Sequence, residues 1–233
     1  MKFIVVKNYR EISKIAGDII IKEIQKNPKL VVGFATGKTP LGLYKELVKA
    51  YKKKQVDFSN IKTFNLDEYY PISKEDRKSY FYYMHRNLFD KVNVKKENIN
   101  FLNGEAKDFK KECLNYEKKI NKNKVDIQIL GVGVNGHIGF NEPGSSEKSK
   151  TRFIELTEST KKINKTDKNA LTMGVSTIMK AKKIILLASG KNKAKALECL
   201  MKCKPNKCCP VTFLKNHKNL IVIVDKRVGN FED

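Results

Sequence analysis

The order of apolar and amphipathic segments predicts an α/β chain: a Rossmann-like, mostly parallel sheet with helices on both faces. Three observations carry this expectation. Apolar runs of strand length recur along the chain, with LVVGF at 30–34, VDIQILGVG at 125–133 and LIVIVD at 220–225 the clearest. Between them lie longer stretches with apolar residues at helical spacing, and this β-α-β-α order is that of a parallel sheet. No linker rich in Pro, Gly or Ser divides the 233 residues, and 40% are apolar, enough for one substantial core. Residues 1–233 are therefore expected to form a single domain.

FIVV at 3–6 reads as the first strand. YREISKIAGDIIIKEIQKN follows with helical spacing through Ile12, Ile15, Ile19 and Ile24. LVVGF is a buried strand and LGLYKELVKAYKK a helix; IKTFNL at 61–66 is a strand and the aromatic-rich SYFYYMHRNLFDKV at 79–92 a helix. INFL at 99–102 is a candidate strand, FKKECLNYEKKI a helix and VDIQILGVG an interior strand. KKIILLA at 182–188, the helix KNKAKALECLMK and the strand LIVIVD complete the pattern.

The formal net charge is +23, which raises nucleic-acid binding as a hypothesis. Only five of the 48 basic residues are arginine, the lysines are dispersed, and no basic-aromatic module appears. A lysine-rich solvated surface is the better reading, one that still attracts an anionic substrate. MKFIVV is too short an apolar run for a signal peptide, and no run approaches the roughly 20 residues of a membrane span. A soluble cytoplasmic protein with no membrane partner is the expectation. Four of the five cysteines (199, 203, 208 and 209) crowd one segment at spacings that fit no metal motif, so they read as small thiols in a reducing compartment.

In a parallel α/β sheet, ligands bind where loops leave the carboxyl ends of the strands. After LVVGF comes Ala35-Thr36-Gly37-Lys38-Thr39-Pro40 and then a helix. A small Gly-containing loop at a helix N-terminus suits a phosphate, and it also suits a plain turn with an N-cap. After IKTFNL come Asp67 and Glu68. Neighbouring residues on extended chain point to opposite sides, so one is open to chemistry while the other is structural; a helix cap or solvated turn is equally compatible. After VDIQILG comes Val132-Gly133-Val134-Asn135-Gly136-His137-Ile138-Gly139-Phe140-Asn141-Glu142-Pro143-Gly144. Glycines let the backbone approach a ligand closely, and histidine changes charge near neutral pH. Without a second histidine for HxH or HExxH, an acid/base His137 paired with Glu142 is favoured over a metal ligand.

Taken in order, GFATGKTPLGLYKELV, TFNLDEYYPISKEDRKSYFYYMHRNLFDKV and ILGVGVNGHIGFNEPGSS resemble the glucosamine-6-phosphate deaminase family, with weaker likeness through ALTMGVSTIM and SGKNKAKAL. NGHIGFNEPG is the specific segment; the related 6-phosphogluconolactonases usually carry a DGHTASLFP-like stretch there. The resemblance implies a cofactor-free, metal-free, hydrolase-type aldose–ketose isomerase and deaminase of amino-sugar catabolism. It implies that Asp67 moves a proton from C2 to C1, that His137 opens the sugar ring, and that Glu142 and Asn135 orient His137. It further implies that Thr36, Gly37, Lys38, Thr39, Gly136 and Lys193 bind the phosphosugar.

Three departures from the family pattern matter. Asn135 stands where many members have Asp, and adds no negative charge. Lys38 stands where Gly or Ser is more usual. Residues 158–169, where the family carries a mobile lid with a phosphate-binding Arg, are short and contain no Arg. Lys161, Lys162 or Lys165 are candidates to replace it, without the bidentate fork of a guanidinium, and Lys38 is expected to compensate in part. The chain also ends soon after the last strand, so a non-allosteric monomer or small homo-oligomer is expected. The alternatives to a glucosamine-6-phosphate deaminase are a galactosamine-6-phosphate deaminase, a lactonase, a non-catalytic sugar-phosphate-binding regulator and a nucleic-acid binder.

Overall fold

The computed structural model describes residues 1–229; the expected end of the domain at Asp233 lies outside the described residues. The elements are β1 (Lys2–Val6), α1 (Tyr9–Lys26), β2 (Val31–Phe34), α2 (Leu41–Lys52), β3 (Lys62–Asn65), β4 (Asp67–Tyr70), α3 (Tyr80–Asn87), β5 (Ile99–Asn100), α4 (Phe109–Asn123), β6 (Ile127–Gly131), β7 (Arg152–Ile154), α5 (Glu158–Asn164), β8 (Asn169–Thr172), α6 (Val175–Ile178), β9 (Lys183–Ala188), α7 (Ala194–Lys202) and β10 (Leu220–Asp225). Seven strands form the main sheet in the order β1-β10-β9-β6-β2-β3-β5, and their pairings are parallel. From β2 the chain steps outward through β3 to β5. It then returns to β6, on the other side of β2, and steps the opposite way through β9 to β10. The gap between β2 and β6 is thus the topological switch point, where the loops part and leave a crevice.

Two apolar layers hold the sheet. Ile127 and Ile129 of β6 and Ile223 of β10 point to one face, against Ile12, Ile20 and Leu47 of α1 and α2. Leu130, Leu186, Val222 and Val224 point to the other, against Tyr116 and Ile120 of α4 and Leu197 and Leu200 of α7. Side chains alternate along a strand, so both faces must be apolar for a sheet covered twice. The helix starts carry their own signals. Asn8 accepts from Glu11 N at 3.1 Å, Asp108 from Lys111 N at 2.9 Å, and Ser79 from Phe81 N at 3.1 Å.

The expected main sheet, flanking helices and element order are all present. A second sheet is not in the sequence reading: β4, β8 and β7 form a small antiparallel sheet in that order, with Asp67 opposite Thr172 and Arg152 opposite Thr172. The chain leaves the main sheet after Asn65 and re-enters extended structure at Asp67, beyond the carboxyl ends of the parallel strands. DEYY and RFI are too short and too polar to announce themselves as strands. The helix expected over 79–92 ends at Asn87, where Leu88 leaves helical geometry (φ −140°) and a 3-10 turn follows at Phe89–Lys91.

Candidate active site

The loops that follow β2, β6 and β9, together with β4 after β3, meet at one end of four adjacent strands. After β2, Gly37 takes φ +96°, a left-handed conformation that favours glycine. Two tyrosines hold this loop by its carbonyls. Tyr83 Oη donates to Gly37 O at 2.6 Å, and Tyr9 Oη lies 3.0 Å from the carbonyl oxygens of both Lys38 and Thr39. Among the described residues, the N–H groups of Gly37, Lys38 and Thr39 then donate to nothing. Pro40 stands at the N-cap of α2 and provides no side-chain cap. Free N–H groups at the positive end of a helix form an anion cradle. The Lys38 side chain is exposed beside it.

Asp67 opens β4; the residue is 5% exposed, and its carboxyl group has no hydrogen bond to any described residue. Burial, and secondarily the charge of Glu68, push its pKa up to about 8. Tyr80 lies near this acid: its hydroxyl donates to Tyr69 Oη at 3.1 Å, and burial and the Asp67 charge hold its pKa well above the usual tyrosine range. Glu68 points the other way and is structural. It accepts from Ser79 Oγ and from the N–H groups of Tyr80 and Phe81, each at 2.8 Å, and so caps α3. The two adjacent acids thus face opposite ways, Glu68 onto α3 and Asp67 toward the loop after β6.

The loop after β6 carries a three-residue relay. His137 Nδ1 lies 2.7 Å from Asn135 Oδ1, and Asn135 Nδ2 donates to Glu142 Oε2 at 2.8 Å. An ionised carboxylate only accepts, so the Asn135 amide must turn its NH2 to Glu142 and its oxygen to the imidazole. The oxygen in turn requires a proton on Nδ1, which leaves Nε2 as the lone-pair nitrogen. Glu142 Oε2 is 3.6 Å from Nδ1, so the negative charge that Asn135 lacks is supplied one residue further along the relay. Burial alone would raise Glu142, but His137, Thr160 and Asn135 together hold it down to about 2.

The glycines of this loop make room for protein side chains. A Cβ on Gly133 would lie 2.2 Å from His137 Cε1, and one on Gly136, at φ +83°, would lie 2.3 Å from Cys209 Sγ. Gly136 N donates to Gly133 O at 3.1 Å and is not free for a ligand. Gly139, at φ +56°, brings the loop against Asp67: a Cβ there would be 3.5 Å from Asp67 Oδ2 and 3.2 Å from Thr172 Oγ1. Phe140 N donates to that same Thr172 Oγ1 at 3.2 Å. Asn141 locks the turn by donating to Ile138 O and Met173 O while accepting from Arg152 at 2.8 Å. Lys193, at the end of the 3-10 turn after β9, is partly buried without an ion-pair partner among the described residues, and burial lowers its pKa.

Thr172, Asn141, Tyr80 and Thr160 escaped the sequence reading, because each acts through a contact 10 or more residues away that no local pattern encodes. The short segment 158–169 holds α5. Its Lys161 pairs with Glu158 at 3.2 Å, Lys165 caps the helix in left-handed conformation and Lys162 is exposed. The five thiols are free, and among the described residues no cluster of His, Cys, Asp or Glu could hold a metal ion. No described helix is long and apolar enough to cross a membrane.

The sequence model of the family described as glucosamine-6-phosphate isomerases/6-phosphogluconolactonase matches residues 9–223, and the chain belongs to that family. Within it, the chain is 47% identical over 239 residues to a glucosamine-6-phosphate deaminase of Thermoanaerobacter pseudethanolicus, covering 99% of this chain and 94% of the relative. It is likewise 47% identical over 235 residues to one of Clostridium novyi, covering 97% and 98%. A solved monomeric glucosamine-6-phosphate deaminase superposes with a TM-score of 0.95 at 39% identity, covering 98% of each chain. The 6-phosphogluconolactonase of Thermotoga maritima, at 21% identity and a TM-score of 0.79, shares the fold.

Proposed function

We propose that the chain is a glucosamine-6-phosphate deaminase, converting glucosamine 6-phosphate and water to fructose 6-phosphate and ammonia. The observation that carries this reading is the meeting of two proton-transfer groups of different kind. One is the unpartnered, buried Asp67; the other is the His137–Asn135–Glu142 relay, whose loop passes Asp67 at Gly139, where a Cβ would lie 3.5 Å from Asp67 Oδ2. Deaminase relatives at 47% identity over nearly the whole chain support the same reading.

In this mechanism the phosphate rests on the N–H groups of residues 37–39 with Thr36, Thr39, Lys38 and Lys193 around it. Its binding energy positions the distant C1–C2 bond. His137 Nε2 takes the O1 proton while the C1–O5 bond breaks, and the proton passes to O5, giving the open-chain aldehyde. Asp67, as carboxylate, removes the C2 proton and returns it to C1, while a proton of the substrate's ammonium group passes to O1; C1 becomes an alcohol and C2 an iminium. Water adds at C2 and ammonia departs. The reaction is an isomerisation coupled to deamination, so "hydrolase" describes only its last step. A cytoplasmic place in amino-sugar catabolism follows from this substrate, and a monomer or small oligomer from the likeness to a monomeric deaminase.

The test is ammonia release from glucosamine 6-phosphate set against galactosamine 6-phosphate and 6-phosphogluconolactone. Turnover of the first above the other two is expected. Turnover of none would sink the enzyme reading in favour of a sugar-phosphate-binding regulator. For His137→Gln, the expected loss is larger on glucosamine 6-phosphate than on its 5-deoxy analogue, which cannot close the pyranose ring; equal losses would remove the ring-opening role.

A further inference from the structure

Glu142 is 5% exposed, so both of its carboxylate oxygens must find donors within the protein. Oε2 is held by Asn135. Oε1 has one donor among the described residues, the hydroxyl of Thr160. Thr160 does not belong to the β6 loop. It lies in the first turn of α5, in the segment where the family carries its lid, and is itself 5% exposed. Thr157 caps α5, accepting from Thr160 N at 3.3 Å, and its hydroxyl stands 3.2 Å from Thr160 Oγ1. A line of polar contacts therefore runs from the cap of α5 through Thr160, Glu142 and Asn135 to His137.

We propose that Thr160 is a positioning residue for ring opening, through which α5 fixes the Glu142 carboxylate and, with it, the orientation of Asn135 and His137. The proposal rests on the deaminase reading for its kinetic consequence, and on geometry alone for the contact. A buried carboxylate with one oxygen unpaired turns toward water or takes a proton. Either change weakens the acceptor that keeps the Asn135 amide in register. His137 then loses the fixed partner for its Nδ1 proton. A lid without arginine would in this way still act on the reacting end of the sugar, by completing the relay rather than by gripping phosphate.

Two substitutions separate this role from packing. Thr160→Val keeps the shape and loses the hydroxyl, whereas Thr160→Ser keeps the hydroxyl and loses a methyl group. The valine variant should lose about tenfold or more in kcat/KM on glucosamine 6-phosphate, the scale of one hydrogen bond to a charged group. It should lose far less on the 5-deoxy analogue, and serine should restore most of the activity. Independently of any substrate, the Glu142 carboxyl carbon, followed by NMR, should titrate at higher pH in the valine variant than in the unaltered protein. A valine variant with unchanged kinetics and unchanged Glu142 titration overturns the proposal, as does a serine variant more impaired than the valine one. If the unaltered protein releases no ammonia, the deaminase reading fails by itself, and the Glu142 titration still decides whether Thr160 holds the carboxylate.

Discussion

The role proposed for Asp67 requires a carboxylate, and its place resists one. Burial and Glu68 raise its pKa to about 8, so at neutral pH most of the free protein carries the protonated form. The base is the ionised form, so kcat/KM should rise with pH up to about 8 and level off beyond it, as a pH–rate profile would record. The same shift fixes a stability trend. The folded state keeps a proton that the unfolded state loses between the ordinary aspartate value of about 3.9 and about 8. Stability must therefore fall as pH rises through that window, by at most about 1.4 kcal/mol per unit from this group. Asp67→Asn should abolish exchange of the C2 proton with solvent. In urea unfolding it should match the unaltered protein near pH 4 and exceed it at pH 8.5. Normal proton exchange in that variant would show that another group is the base.

Short elements outside the main sheet set the geometry of the proton-transfer groups. β4 turns Asp67 toward the β6 loop and Glu68 toward α3 because successive residues of a strand face opposite ways. Glu68→Gln would replace one accepting oxygen by an NH2 that meets the N–H donors of α3. The expected cost is about 2 kcal/mol in urea unfolding, with Asp67 and the relay left in place; a neutral effect would show that the cap is dispensable. In the β6 loop, Gly136 is required twice, by its φ of +83° and by the Cys209 sulfur beneath it. Gly136→Ala should lower stability by about 1–3 kcal/mol and displace His137, with a fall in kcat larger than the change in KM. An alanine variant with normal kcat and normal melting temperature would refute that account.

At the scale of the molecule, the switch point gathers loops from both halves of the sheet, and the chain as a whole carries a net charge of +23. A dianionic phosphosugar should be steered to such a crevice. Its kcat/KM should fall several-fold as ionic strength rises from about 0.01 to 0.15 M, over which the Debye length shrinks from about 30 to 8 Å. Lys193→Ala should raise KM more than it lowers kcat, since the partly buried ammonium has no competing ion pair among the described residues. Lys38 is exposed at the rim of the cradle, and a KM unchanged by Lys38→Ala would end the idea that it offsets the missing lid arginine.

Much of this was written locally. The main sheet was legible because a strand covered on both faces is apolar by necessity, as LVVGF and LIVIVD are. The stretch from Val132 to Gly144 announced a special loop because glycine and histidine at that spacing have few other uses. That Asn135 could orient His137 was legible from amide chemistry, once the family resemblance had given it a role. What the sequence by itself determined about this protein is therefore the element order, the family and the set of strand ends that carry polar residues. Only the tertiary structure decided which of two neighbouring acids faces the site, that Glu142 supplies the charge Asn135 lacks, and that Thr160 of α5 completes the relay. Those choices depend on contacts such as Glu68 with Tyr80, Gly139 with Asp67 and Glu142 with Thr160. Each joins separate stretches of chain, and a linear pattern of residue types contains no term for the distance between them once folded.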